Sequence, residues 1–403
     1  MTASIADAGP VPVQDPGRVG VAVLLFCSMM TVMAGATISP SLPQMVLAFQ
    51  DTPDAGILVR LVITITSLAI ALTAMPVGAL ADRIGRIPLL TGGIALYVAA
   101  GTAGLWVDQL GALLASRVAL GMAVAAIMTT ATALIGDYFD GERRGRILGW
   151  QGSAMGFGGV VFITLGGLLA QTGWRGPFWV YAIPIVLLAA VPLILHEPAR
   201  LRPGTPGQSA GREPQGPRFL LYAAAFLVMA GFYAVPVQMP FLLAEQGHPE
   251  PRVAGLALGT VTLVSALASL NFGAVTRRLR PGLVVPLATA AAGAGVLIAG
   301  LAPALPLTFA GLALTGLGLG LTMPGLPSFL MRITPRARMG RVMGGFTTAI
   351  FLGQFASPLL LQPAIARAGT AAGVASAAVL FAAAAALLRL IALRYRVAQA
   401  AAR

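Results

Sequence analysis

Gly78-Ala79-Leu80-Ala81-Asp82-Arg83-Ile84-Gly85-Arg86 is a short polar hinge between two long apolar runs, and part of it occurs twice. At an offset of 195 residues, Gly78-Ala79 returns as Gly273-Ala274 and Arg83-Ile84 as Arg278-Leu279. The same offset carries Gly145-Arg146-Ile147-Leu148-Gly149 onto Gly340-Arg341-Val342-Met343-Gly344. Two loops that share one offset, close to half of the 403 residues, mark an internal duplication.

The runs around these loops are long enough to cross a bilayer, which takes about 20 apolar residues as a helix. They fall at 19–41, 56–80, 88–107, 110–136, 146–170, 176–195, 219–243, 253–275, 283–302, 305–330, 340–363 and 370–393. With 57% hydrophobic and 10% charged residues and a mean hydropathy of +0.87, the chain is too apolar for a soluble globule. The expected fold is an all-α membrane protein whose twelve transmembrane helices form two pseudo-symmetric six-helix bundles. Its expected parts are a tail at 1–18, a bundle at 19–195, a linker at 196–218, a bundle at 219–393 and a tail at 394–403. The linker stretch is rich in Pro, Gly and Arg, a composition that joins bundles without packing into them. Six spans is an even number, so both copies insert the same way round, as in transporters whose substrate binds between the halves.

All 26 basic residues are arginine. Without a lysine there is no Walker A loop and no Schiff-base chemistry. The net charge of +13 does not point to nucleic acid, because the arginines sit in short clusters between apolar runs. Twenty-one of them lie in the tails, in the linker or after even-numbered spans, against four on the other side: Arg60, Arg175, Arg252 and Arg367. Positive charge is retained in the cytoplasm, so both termini are expected there, in a bacterial inner membrane. The single Cys27 forms no internal disulfide, and the two histidines, His196 and His248, lie far apart, so neither a metal nor another cofactor is expected. Residues 1–17 lack a basic leader region and read as a short tail, not a signal peptide.

The hinge resembles the signature loop between helices two and three of the major facilitator superfamily, and the paired halves extend that likeness over the whole chain. The resemblance implies a cytoplasmic latch made of Gly78, Asp82, Arg83, Gly85 and Arg86, with Asp137 as the acid that a loop arginine engages. The residue types suit that role. Gly78 admits a close helix and Gly85 a tight turn, Asp82 suits a helix N-terminus, and the arginines suit acids or lipid head groups. Arg277 stands where the second copy would have the aspartate, so the latch is asymmetric. Arg117 and Gly121 resemble the Arg-x-x-x-Gly motif of the superfamily's drug/proton antiporters. Arg117 lies about eight residues into its span, on the order of 12 Å deep. It either serves the transport cycle or snorkels to the outer interface. The glycine motif of helix five is partly kept in Gly149, Gly158, Gly166 and Gly167, with Phe162-Ile163 in place of its Gly-Pro pair.

The thirteen acids all lie outside the spans or at their ends. Glu245 is the candidate proton carrier at the outer mouth, with a solvated loop acid as its other reading. Asp54 and Arg60 are expected to pair at the outer end of helix two. Met33, Thr37, Gln151, Tyr233, Gln238 and Gln354 are candidates to line a central cavity or to bond helix to helix. Pro236 and Pro240 unsettle helix seven around Gln238 and free backbone carbonyls.

These features suggest a secondary transporter, not an enzyme, that exports small apolar or amphipathic compounds by alternating access with protons as coupling ion. It would work as a monomer in contact with membrane lipid. Import of a neutral metabolite, export of one dedicated product such as a metallophore, and a membrane sensor without transport are the alternatives. Reporter fusions after Arg403 and within 196–218 are expected to be active only as cytoplasmic reporters; periplasmic activity at either site would overturn the arrangement.

Overall fold

Gly85 ends one helix and begins the next. Its φ of 101° strains any residue with a side chain, so the helix Ala55–Ile84 stops there and Arg86–Thr102 follows directly. The computed structural model describes residues 15–198, 216–279, 281–334 and 339–401 as long helices joined by short turns, with no strand among them.

In chain order the spans are α1 (Gly17–Ala48), α2 (Ala55–Ala81), α3 (Arg86–Leu105), α4 (Leu110–Tyr138), α5 (Gly141–Thr172) and α6 (Gly176–Ile194). Next come α7 (Arg218–Glu245), α8 (Pro251–Leu270), α9 (Gly282–Leu301), α10 (Leu305–Met331) and a long stretch, Val342–Arg394. That stretch is two spans, because Ala368 and Gly369 (φ 82°) leave helical geometry. They divide it into α11 (342–367) and α12 (370–394), which completes twelve. The eighth span ends earlier than its apolar run, at Leu270, and Phe272–Arg278 forms a separate short helix after Asn271. Residues 1–14 of the expected tail and 199–215 of the expected linker lie outside the described residues, and Gly216–Arg218 already belongs to the helix that opens α7.

Each half has its own apolar core. Leu24, Tyr97, Leu120, Ile127 and Phe178 belong to one, and Met239, Leu258 and Phe381, with Leu221 and Leu326 beside them, belong to the other half. Surrounding lipid is as apolar as these side chains, so close backbone approach through small residues holds such helices together. The duplication reappears in that packing. Gly121 of α4 presses on the Thr66 carbonyl of α2, and Gly316 of α10 presses on the Val261 carbonyl of α8. Both members of the second pair stand 195 residues after the first.

The halves meet along α5 and α8, and their contact is graded. A methyl group on Gly167 would lie 2.8 Å from the Gly255 Cα, one on Gly159 2.8 Å from Thr262, and one on Gly156 3.4 Å from Ala266. Further towards the start of α5, Gly152, Gly149 and Gly145 meet nothing within 4 Å. The helices thus diverge towards the end of the bundle that carries the arginine clusters, where Leu72 and Met75 of α2 and Leu267 and Leu270 of α8 are exposed. At the far end they are pressed together.

Gly167→Val is expected to lower thermal stability in detergent by about 1–3 kcal/mol through overpacking. Gly92→Ala, which meets open space, is expected to leave it unchanged or raise it slightly. Equal melting curves for both variants would remove the close α5–α8 contact.

Candidate translocation pathway and its gates

The far-end closure begins with a missing N–H. Pro240 cannot donate to the Pro236 carbonyl one turn back, and that carbonyl instead accepts a hydrogen bond from the Ser39 hydroxyl of the other half. Ser39 is free to reach it because α1 also breaks here, passing through a tight turn at Ser39–Ser41 before Leu42–Ala48. Beside this contact, Arg60 of α2 donates from Nε to Gln238 Oε1 of α7 at 2.8 Å and from Nη1 to the Gly56 carbonyl at 2.6 Å. Its guanidinium lies 4.2 Å from the centre of the Phe241 ring. The expected Asp54–Arg60 pair is absent among the described residues: Arg60 turns across to the other half, and Asp54 opens α2 in a left-handed conformation (φ 58°). Glu245 closes α7, where its carboxylate accepts from the Thr370 hydroxyl at 2.5 Å, within electrostatic reach of Arg60.

At mid-depth the halves share a small uncharged polar cluster. Ser67 of α2 donates to Gln354 Oε1 of α11 at 2.7 Å, and the Gln354 amide reaches Met229 Sδ at 3.6 Å. Tyr233, at the turn inside α7, lies beside the same Ser67. Gln151 behaves differently from Gln354. It ties α5 to Ser28 of α1 (2.9 Å) and to Thr132 of α4 (3.1 Å), both within its own half. Met33, Thr37 and Gln238 have no exposed surface in this conformation, so they line no open cavity here. Thr37 bonds to the Met33 carbonyl, and Gly166 packs against its backbone.

The hinge lies at the arginine-rich end. Arg86 pairs with Asp137 of α4. Glu197, just after α6, accepts from the backbone N–H groups of Arg86 (2.7 Å) and Ile87 (2.8 Å). It thereby satisfies two of the donors that every helix start leaves open. Tyr138 holds the neighbouring His196 carbonyl. A methyl group on Gly78 would make only ordinary contact, 3.8 Å from Thr129 of α4. The Asp82 side chain lies outside the described ones. Among the described residues no three His, Cys, Asp or Glu side chains gather to hold a metal ion.

Arg117 is fully buried, which excludes snorkelling. It donates to the Ala100 and Gly101 carbonyls of α3 at 2.7 and 2.9 Å, near the end of that helix. The rings of Phe178 and Tyr181 flank it, 5.1 and 5.3 Å from the guanidinium carbon. Those rings align because α6 begins as a 3₁₀ helix, Gly176–Val186, in which residues three apart eclipse. Tyr181 and Tyr97 in turn bond to the Ala34 and Met30 carbonyls of α1. Every partner belongs to the first half, so in this conformation Arg117 braces α1 from behind and does not face the opposite half.

With the broken α1 and α7, the inter-half polar cluster and the hinge in place, the comparison with known proteins is direct. The Major Facilitator Superfamily profile matches residues 24–358 and 221–402. The chain belongs to that superfamily. It is 28% identical over 316 residues to the 3-(3-hydroxy-phenyl)propionate transporter of Escherichia coli K12, covering 74% of this chain and 76% of that one. It is 27% identical over 306 residues to the class C tetracycline resistance protein of Escherichia coli, covering 72% and 75%. The fold matches a bacterial homologue of the human lysosomal transporter Spinster, crystallised inward-facing and unoccupied, with a TM-score of 0.74 at 16% identity over 95% of this chain and 98% of that one. The protein is therefore a membrane transporter and not an enzyme.

Ser39, Ser67 and Glu197 are contact residues that the sequence did not single out, and Arg60 was matched to Asp54 where its partner is Gln238. Only the Pro236/Pro240 spacing pointed near them, since a freed carbonyl needs a donor. Arg117→Gln is expected to lower thermal stability by about 1–3 kcal/mol, because carbonyls buried beside it lose their donors. Arg117→Lys is expected to recover part of that, keeping the charge without the planar fork. Unchanged melting of both variants would remove the bracing role.

Proposed function

We propose that this transporter exports small apolar or amphipathic compounds from the cytoplasm of a bacterial cell by alternating access, in exchange for protons. The observation that carries this reading is the uncharged mid-depth cluster of Ser67, Tyr233 and Gln354 between apolar walls. A sugar phosphate or dicarboxylate would lose its hydration there with no counter-charge to replace it. A largely apolar compound loses little, and a few hydrogen bonds suffice to orient it.

Direction rests on the relatives named for drug resistance and on the likeness of Arg117 and Gly121 to the antiporter motif. With the arginine-rich end in the cytoplasm, the present conformation is inward-facing: Ser39, Arg60 and Gln238 close the outer side. The Asp82–Arg86 hinge, with Arg83, Asp137 and now Glu197, then serves as the latch of the opposite, outward-open state. With every acid at or beyond the span ends, Glu245 beside Arg60 and Thr370 is the carboxylate best placed to exchange protons as the outer gate opens. Uptake of a small aromatic acid or neutral metabolite is the second reading, favoured by the likeness to the phenylpropionate transporter.

Everted membrane vesicles with an acid interior are expected to accumulate a lipophilic dye or drug, and to release it when the pH gradient is collapsed. Gln354→Ala is expected to raise KM by about two- to tenfold, the worth of one neutral hydrogen bond. Accumulation only in right-side-out vesicles would reverse the direction, and indifference to the gradient would remove the proton.

A further inference from the structure

The starts of α1 and α5 enclose a cavity of about 510 Å³ at the arginine-rich end, lined by Arg18, Arg143 and Arg146 together with Val21, Ile147 and Trp150. Glu142, one turn before Arg146 on α5, forms no ion pair among the described residues, and Asp15 is bonded to Arg143 at 2.6 Å. That bond and the Gly17 N–H hold the Asp15 carboxyl below its usual range, so at neutral pH it stays ionised and offsets Arg143 alone. No carboxylate among the described residues pairs with Arg18 or Arg146, and the Arg146 guanidinium lies against the Trp150 ring at 5.7 Å.

What lies below the cavity identifies its occupant. Trp150, Phe157, Val161 and Leu168 of α5 are all exposed. Their spacings of seven, four and seven residues put them on one helical face. This face runs from the cavity towards the far end as an apolar strip in the hydrocarbon. A soluble anion would use the arginines and leave the strip idle. A molecule with an anionic head and a hydrocarbon tail uses both, and tryptophan at the boundary suits the level where the two meet.

We propose that this cavity binds the head group of an anionic phospholipid in the leaflet at the arginine-rich end, with one acyl chain laid along the α5 strip. The lipid bridges α1 to α5 at the point where α5 begins to part from α8. It therefore sits beside the moving element without entering the path between the halves. Arginine suits the head group because its fixed positive charge attracts the phosphate at the membrane surface.

The test is native mass spectrometry of the full-length protein released from membranes, with phosphatidylglycerol and phosphatidylcholine supplied at equal concentration. Wild type is expected to keep phosphatidylglycerol in preference. The double variant Arg18→Gln, Arg146→Gln is expected to lose about tenfold or more of that preference, two surface arginines being removed. Arg18→Lys with Arg146→Lys is expected to keep most of it, which separates lost charge from damaged folding. Equal retention in wild type and the glutamine variant overturns the proposal. So does displacement of the lipid by millimolar glycerol phosphate, which would make the cavity a site for a soluble anion.

Discussion

Within hydrocarbon a backbone carbonyl has no water to turn to, and leaving it unpaired costs several kcal/mol. Three irregularities among the described residues are arranged around the need to pair backbone groups. Pro240 frees the Pro236 carbonyl, and Ser39 of the other half takes it. Where α3 approaches its end, the Ala100 and Gly101 carbonyls take Arg117 instead. At the start of the same helix the Arg86 and Ile87 amides take Glu197. A bundle that looks apolar thus carries polar side chains at the points where these helices are broken or end.

The same rule separates static contacts from those that can move. Arg117, Tyr97 and Tyr181 find all their partners inside the first half, so these bonds do not require the halves to be closed. Ser39, Arg60 and Ser67 find theirs in the second half. These can persist only while the far end is closed. Gly121 with Thr66 and Gly316 with Val261 fasten α2 to α4 and α8 to α10 inside their own halves, so each half can move as a unit.

Much of the architecture was legible because it follows from local rules. Span length and the 195-residue echo each act through the residues that carry them, and Gly85 forces its turn unaided. The contacts between halves were not legible. Arg60 had Asp54 as a neighbour in sequence, and nothing local said that Gln238, far along the chain, would be its partner. Arg117 was conspicuous by depth, yet depth alone does not tell which side of a helix faces the other bundle. Met33 and Thr37 suited a cavity by chemistry and are fully buried because Gly166 admits α5 against α1. Gly78 was read as a point of close approach, and its one neighbour here, Thr129 of α4, stands at ordinary distance.

The Ser39–Pro236 bond has one more consequence. A carbonyl that gives up a partner from the opposite half has no spare donor in its own helix, since Pro240 removed it. Parting the halves at this level must therefore admit water to that oxygen in the same movement. Wetting becomes part of opening, not its aftermath. Lowered water activity should then favour the closed arrangement, with no ligand involved.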